Sequence, residues 1–369
     1  MEDLITKIFW WFGFANHPNE RNGKCKISLL LQFLLVTTFI DNTIMNLMIF
    51  NDPMFTWKLV VQHILFLSVS VIILFVMARK KQEITNLLKL LQMMCPEDLI
   101  NKANVAIYCI FVLPFVYAFS MLITHELLGH EYVSKYFSYG FEIENKIMKY
   151  SVGFYKLFTF YLLHPTLANL ITVVYSTSCC LCCRFLNILT SELEMISPDR
   201  FTLKVEMEIL KKRHRIFDML EMIETSLSTA SFLTCTAHFL ACLTNLSQFL
   251  MYLPENKTLT ILRVSFIFGS AVVSTASIFL NAGQIPIEME KFSRLLRRRI
   301  EQRSFLGLDS LKVRSERSVT DEQVVVLSGC DLIYYRKSTL LSVLGTILTY
   351  GLLILSIEFQ TNFSKRTVT

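Results

Sequence analysis

The stretch LVVQHILFLSVSVIILFVMARKK, residues 59–81, decides how this chain is read. Residues 59–77 carry no Asp, Glu, Lys or Arg, and three cations then follow in a row, Arg79, Lys80 and Lys81. About 20 predominantly apolar residues cross the ~30 Å of hydrocarbon in a bilayer. Lys and Arg resist translocation and remain on the cytoplasmic side. The segment therefore reads as a transmembrane helix that ends in the cytoplasm.

Carried along all 369 residues, the same reading predicts seven spans, near 27–50, 59–77, 104–124, 157–183, 227–250, 259–282 and 338–360. Of the 36 Lys and Arg, 27 fall in the N-terminal stretch and the second, fourth and sixth gaps, against 7 in the other gaps and the C-terminal tail. That alternation puts the N-terminus inside and the C-terminus outside. A G-protein-coupled receptor has the opposite orientation. The expected fold class is an all-α integral membrane protein with seven transmembrane helices, N-terminus cytoplasmic, C-terminus extracellular, and cytoplasmic helix extensions. In domain terms, 1–183 holds helices one to four and 227–282 holds helices five and six. The charged stretches 184–226 and 284–337 are cytoplasmic, 338–360 is the last helix and 361–369 an extracellular tail.

Composition agrees with this reading, since 53% of the residues are hydrophobic. The net charge of +6 gathers in membrane-flanking loops, where it marks topology and attracts anionic lipid. It is not a nucleic-acid footprint. Residues 1–26 lack an uninterrupted apolar core, so no cleavable signal peptide is expected and the first span directs insertion. Seven of the ten cysteines fall inside spans, and Cys25, Cys95 and Cys330 fall on the reducing cytoplasmic side, so no structural disulfide is expected.

Residues 2–14 read as a short amphipathic or interfacial segment, with Trp10 and Trp11 suited to headgroup level. Leu87, Leu88, Leu90 and Leu91 continue a helix below the second span. Pro114, midway in the third span, should kink it unless neighbours re-satisfy the freed carbonyl. The long fourth span, with Pro165 inside it, is expected to lie partly in the outer leaflet. In 203–224 the positions Leu203, Met207, Leu210, His214, Phe217, Leu220 and Ile223 recur at helical spacing, as do Ile287, Met289, Phe292, Leu295 and Leu296. Helices that project from a membrane need a partner for such faces, so a cytoplasmic bundle is expected. Residues 303–322 read as a mobile loop. There is no internal repeat, and seven spans do not divide into the equal halves of many transporters.

His125-Glu126-Leu-Leu-Gly-His130 fails as a zinc motif, because i and i+5 do not share a helical face. Cys179-Cys180-Leu181-Cys182-Cys183 lies beside Arg184 at the cytoplasmic end of span four. Its readings are close packing or reversible palmitoylation. Asp41, His63 and His238 are ionisable residues inside spans, each a hydrogen-bonded helix contact or a gating or ligand residue. No nucleophile elbow, phosphate loop or paired-carboxylate constellation occurs. No catalytic residue, cofactor or metal is therefore expected, and the chain reads as a non-enzyme.

The last span carries the mechanistic clue. Ser342, Thr346, Thr349, Leu353, Ser356 and Gln360 recur at spacings of 4, 3, 4, 3 and 4, one narrow stripe on a helix. Such a stripe either packs helices closely through small residues or faces water in a pore. Glu358 points about 160° away from the stripe.

The C-terminal stretch SGCDLIYYRKSTLLSVLGTILTY, residues 328–350, resembles the arthropod gustatory receptor family. That family's last helix carries Thr-Tyr, five mostly apolar residues, then Gln-Phe. Thr349 and Tyr350 match, while Ser356 and Ile357 stand where Gln and Phe are expected. The resemblance implies a ligand-gated, non-selective cation channel in the cell membrane, built as a homo- or hetero-tetramer. The last helices would line the pore, cytoplasmic extensions would form an anchor, and a small-molecule tastant would bind in the outer half of the bundle. The outer helix ends offer Trp57, His63, Tyr155, Tyr161, His164, Gln248 and Phe266 to such a ligand, or equally to an interfacial aromatic belt. The alternatives are an odorant receptor subunit of the same superfamily, a G-protein-coupled receptor or a transporter. No Asn-Pro-x-x-Tyr in span seven and no Asp-Arg-Tyr after span three supports the G-protein reading.

The orientation predicts that Asn362 (Asn-Phe-Ser) is glycosylated, that Asn256 (Asn-Lys-Thr) is external, and that a tag after Thr369 is labelled on intact cells. Labelling of that tag only after permeabilisation would overturn the charge reading and the pore reading with it.

Overall fold

The computed structural model describes residues 4–16, 26–49, 57–127, 137–139, 141, 143–252, 257–305 and 325–366. Within these, the side chains of 49, 57–59, 250–252, 257, 351–352 and 354–366 lie outside the description. Nearly all described residues are helical: α1 (Leu4–Trp11), α2 (Lys26–Ile49), α3 (Trp57–Arg79), α4 (Lys81–Met94), α5 (Glu97–Leu127), α6 (Lys146–Tyr161), α7 (Leu167–Met195), α8 (Leu203–Tyr252), α9 (Lys257–Ala282), α10 (Ile285–Phe305) and α11 (Lys337–Arg366). A π-turn (Leu162–Thr166) joins α6 to α7, and a short hairpin, β1 (Ser328–Gly329) and β2 (Ile333–Tyr334), precedes α11.

Among the described residues, six helical segments are long and apolar enough to cross a membrane: Lys26–Met48, Val60–Arg79, Glu97–Leu127, Lys146–Met195, Leu203–Phe249 and Thr258–Phe305. The chain is thus a multi-pass helical membrane protein. α11 carries the stretch read as the last span and remains helical through residues 361–366.

α8 organises the bundle. It packs against α3, α9, α7, α11, α4 and β1. Its 50 residues rise about 75 Å at 1.5 Å each, more than twice the hydrocarbon thickness. Part of α8 must therefore project beyond the bilayer. The charged stretch and the following span are one unbroken rod.

The buried face of that projecting part differs from the apolar spacing in the sequence. Glu206, Ile209, Arg213, Ile216, Leu220 and Ile223 are buried, while Leu203 and Met207 are half or more exposed. The reason is tertiary. Arg303 of α10 pairs with Glu206 at 2.6 Å, with both side chains almost fully enclosed. Arg213 lies over the rings of Phe217 and Phe292. Two charges can be buried when each meets a partner, and that burial turns the helix away from its simplest hydrophobic stripe. α10 follows its sequence pattern more closely, with Met289, Phe292 and Leu296 buried.

The N-terminal segment is not merely interfacial. Ile5, Ile8, Phe9, Phe12 and Phe14 are buried in the bundle core, and Trp11 is 44% exposed. Gln32 donates to the Phe12 carbonyl (2.9 Å), and the Asn16 amide donates to Thr85 Oγ1 (2.9 Å). Neither proline breaks its helix. Pro114 lies inside continuous α5, and Pro165 is absorbed by the π-turn.

The hairpin sets where α11 begins. Cys330 and Asp331, at φ 55° and 57°, form its turn, closed by the Leu332 amide on the Gly329 carbonyl at 3.0 Å. Left-handed backbone is unfavourable for non-glycine residues, so outside contacts must hold it. Ser328 Oγ donates to Glu224 (2.5 Å), the Cys330 amide donates to Ser228 Oγ (2.9 Å), and the Tyr335 hydroxyl meets Ser231 Oγ (2.9 Å), all on α8. A side chain at Gly283 would come within 2.9 Å of the Lys337 amide nitrogen, so the α9–α10 corner and the start of α11 touch through glycine.

Arg303→Ala is expected to destabilise the chain by about 3–5 kcal/mol, because it leaves the Glu206 carboxylate buried and unpaired. Thermal unfolding in detergent reads this directly. The double change Glu206→Leu with Arg303→Met should recover most of the loss, and an unchanged Tm for the single variant would refute the buried pair.

Candidate ligand site and pore helix

The π-turn is where polar groups enter the core. Pro165 has no amide hydrogen, and its ring excludes the usual carbonyl four residues back. One extra residue in the turn accommodates this, a distortion frequent at functional sites. Leu162, Leu163, His164, Pro165 and Thr166 are all buried. The ring of His164 therefore points into the bundle.

Around it stand side chains from three other elements. His63 of α3 stacks on Phe160 of α6 (5.6 Å between centroids, 7° between planes) and meets Phe66 edge-on at 4.7 Å. Phe66 lies 4.8 Å from His164, and His164 lies 5.8 Å from His238 of α8. Ser70 Oγ is 2.8 Å from His164 Nδ1 and 3.2 Å from the Phe66 carbonyl. A hydroxyl has one proton. With that proton on the carbonyl, Ser70 accepts from Nδ1–H, and His164 Nε2 becomes an acceptor. Among the described residues, His164 Nε2, both ring nitrogens of His238 and Thr166 Oγ1 have no hydrogen-bond partner. Buried polar atoms left unpaired cost about 1–3 kcal/mol each. This neighbourhood is therefore suited to the polar group of a guest molecule.

An aromatic wall adjoins it. Tyr117 of α5 lies 4.8 Å from Tyr161 and 5.6 Å from Phe266 of α9. The Arg263 guanidinium stands 5.9 Å from the Phe160 ring. Asn169 donates to Ser270 (2.8 Å) and accepts from Ser274, so α7 and α9 are joined through an amide. Aromatic walls with a few convergent polar atoms are the usual lining of sites for small organic molecules.

Asp41 of α2 pairs with Lys156 of α6 at 3.1 Å and accepts from the Tyr139 hydroxyl. The Lys156 ammonium also lies 3.8 Å above the Tyr139 ring. The partners of Asp41 are thus a lysine and a tyrosine.

Of the side chains that the sequence offered for a ligand, His63, Tyr161, His164 and Phe266 converge at this place. Tyr155 is 51% exposed on the opposite side of α6. Gln248 is half-buried on α8, ten residues or about 15 Å along the rod from His238. The Trp57 side chain and Asn256 lie outside the described residues, as does the Asn362 side chain. Sequence reading left Tyr117, Phe160 and Arg263 out of the ligand set and gave His238 a gating or ligand role only as one of two alternatives. A charged or aromatic residue within a span was the available signal.

On α11, Leu340, Val343, Leu344 and Ile347 face α8 and α9, where they line a small cavity with Phe239, Cys242 and Val272. The centre of the small-residue stripe lies about 140° around the helix from that packing face. Ser342, Thr346, Thr349 and Leu353 are exposed. Thr346 and Thr349 donate back to the Ser342 and Gly345 carbonyls, both at 2.8 Å. The Ser356 and Gln360 side chains lie outside the described residues.

These features define a multi-pass helical membrane protein with a buried aromatic–histidine cluster and a terminal helix that turns small polar residues away from its own bundle. No family model and no curated protein matches the sequence. Among solved structures the chain is similar to the insect olfactory receptor OR5 from Machilis hrabei, at a TM-score of 0.67 and 16% identity, covering 96% of each chain. The same receptor in complex with eugenol matches at a TM-score of 0.66 and 16% identity, covering 96% of this chain and 97% of that one. At this identity the likeness is one of fold, from end to end.

Lys156→Met leaves the Asp41 carboxylate with Tyr139 alone. A loss of about 1–3 kcal/mol is expected, read as a lower Tm in detergent and largely restored by adding Asp41→Leu. No change in the single variant would mean that water already solvates the pair.

Proposed function

We propose that this chain is a subunit of a ligand-gated, non-selective cation channel of the chemosensory receptor type in the cell membrane. Four copies, identical or mixed, surround a pore, and α11 of each lines it. A small organic molecule enters the cluster of His63, Tyr117, Tyr161, His164, His238 and Phe266 and opens the pore. Membrane lipid covers the outer faces.

One observation carries the reading. The hydroxyl stripe of α11 faces away from its own bundle, in a chain with the fold of an olfactory receptor. A helix with a purely internal packing role has no reason to keep Ser342, Thr346 and Thr349 on its free side. Taste is favoured as the modality by Thr349-Tyr350. Odour is the second reading, favoured by the likeness to an olfactory receptor that binds eugenol. An odorant subunit should need a co-receptor, whereas a self-sufficient taste channel should not.

Patch recording from cells that express the chain alone, during a screen of small tastants and volatiles, separates these readings. Thr346→Asp or Thr349→Val should change relative cation permeability and leave ligand sensitivity in place. His164→Phe should raise the half-effective concentration by roughly tenfold, the equivalent of about one hydrogen bond, and leave permeability unchanged. Identical permeation across every stripe variant would sink the pore assignment.

A further inference from the structure

The four cysteines of Cys179-Cys180-Leu181-Cys182-Cys183 divide between two faces of α7. Cys179 and Cys182 are fully buried in the core. Cys180, which is half-buried, instead lines an open cleft of about 540 Å³ between α7 and the α9–α10 corner, and Cys183 reaches the edge of that cleft from the core with only 9% of its surface exposed. Below them on the same face, Ile188 and Met195 are 48% and 80% exposed, and Asn281 and Gln284 form the far wall. From Cys180 to Met195 the face runs about 22 Å at 1.5 Å per residue, and its surface is mostly apolar. Arg184, beside Cys183, is the first cation after the apolar run. It donates two hydrogen bonds to Asp98 (2.8 and 3.0 Å) at the mouth of the cleft.

We propose that Cys180 and Cys183 are S-acylation sites, and that the attached fatty chain lies in this cleft. The site rests on the reading that this end of the bundle faces the cytoplasm, where a long-chain acyl-coenzyme A is the donor. The thiol sulfur forms a bond to the acyl carbonyl carbon. The carbonyl's bond to the coenzyme A sulfur breaks, and coenzyme A leaves as a thiol that carries the proton lost by the cysteine. No oxidant or reductant is consumed. Two features make these thiols apt. They stand where the span meets its first cation, the position at which juxtamembrane cysteines receive such chains. The apolar path beside them gives the chain a place against the protein. Cys180 is the more accessible and the first acceptor. Its thiol donates a weak hydrogen bond to Asn281 Oδ1 at 3.3 Å, which acylation replaces.

The full chain is expressed in cells fed an alkyne fatty acid, and hydroxylamine-sensitive label is compared with acyl–polyethylene glycol exchange on gels. Cys180→Ser with Cys183→Ser should remove one or two mass increments, and Cys179→Ala with Cys182→Ala should remove none. Mass spectrometry of the wild-type peptide around Arg184 then locates the thioester without any variant, so misfolding of a variant cannot obscure the answer. A wild-type chain with no hydroxylamine-sensitive group here, or a label that follows Cys179 and Cys182, overturns the proposal. A tag after Thr369, labelled on the same intact cells, separates a failure of the orientation from a failure of the site.

Discussion

A helix longer than the membrane that contains it governs this structure. Backbone in hydrocarbon must satisfy its own hydrogen bonds, which leaves helices as the practical solution for spans of this kind. α8 carries that solution through the bilayer and past it as one rod of 50 residues. Several elements that matter to the sites touch it: α3 and the π-turn beside His238, α10 through Arg303 and Glu206, and the hairpin through Glu224 and Ser228. A break between its charged and apolar halves would disconnect the projecting bundle from the cluster inside the membrane.

Polar groups are placed under the same rule. Hydroxyls within the spans mostly donate back to carbonyls one turn earlier, as Thr346 and Thr349 do. Buried charges come in pairs, as in Glu206 with Arg303, or in small clusters, as in Asp41 with Lys156 and Tyr139. Among the described residues some buried polar atoms have no partner, the Tyr175, Ser226 and Thr234 hydroxyls as well as His164 Nε2 and both His238 nitrogens. The two histidines differ from the rest by their position at a π-turn, next to an aromatic wall.

Much of this was legible beforehand, for identifiable reasons. Span positions follow from apolar length alone, and six of them recur as helical segments long and apolar enough to cross a membrane. The leucines at 87, 88 and 91 are buried in α4 as their spacing predicts. The helix over 203–224 and its buried Leu220 and Ile223 were legible, but Leu203 and Met207 are exposed, because periodicity counts apolar residues and cannot see that Arg303 makes Glu206 buriable. For the N-terminal segment, read as amphipathic or interfacial, the structure adds where its apolar face goes. Its aromatics suit an interface, but a groove in the bundle takes Phe9, Phe12 and Phe14. For the site, a histidine inside a span announced itself, whereas Tyr117 and Phe160 were ordinary aromatic residues until their neighbours were known.

The sequence by itself determined what depends on local length, charge and spacing: an all-helical chain, its crossings, a charge bias for its orientation, and a stripe of small residues on its last helix. Only the tertiary structure decided which faces meet. It brought His63, His164 and His238 together from helices far apart in the chain, gave Asp41 a lysine, and split one cysteine run between a core face and an open cleft. The physical reason is that periodicity describes a helix alone. Whether a given face is buried, paired or free depends on the side chains opposite, and those come from elsewhere in the chain.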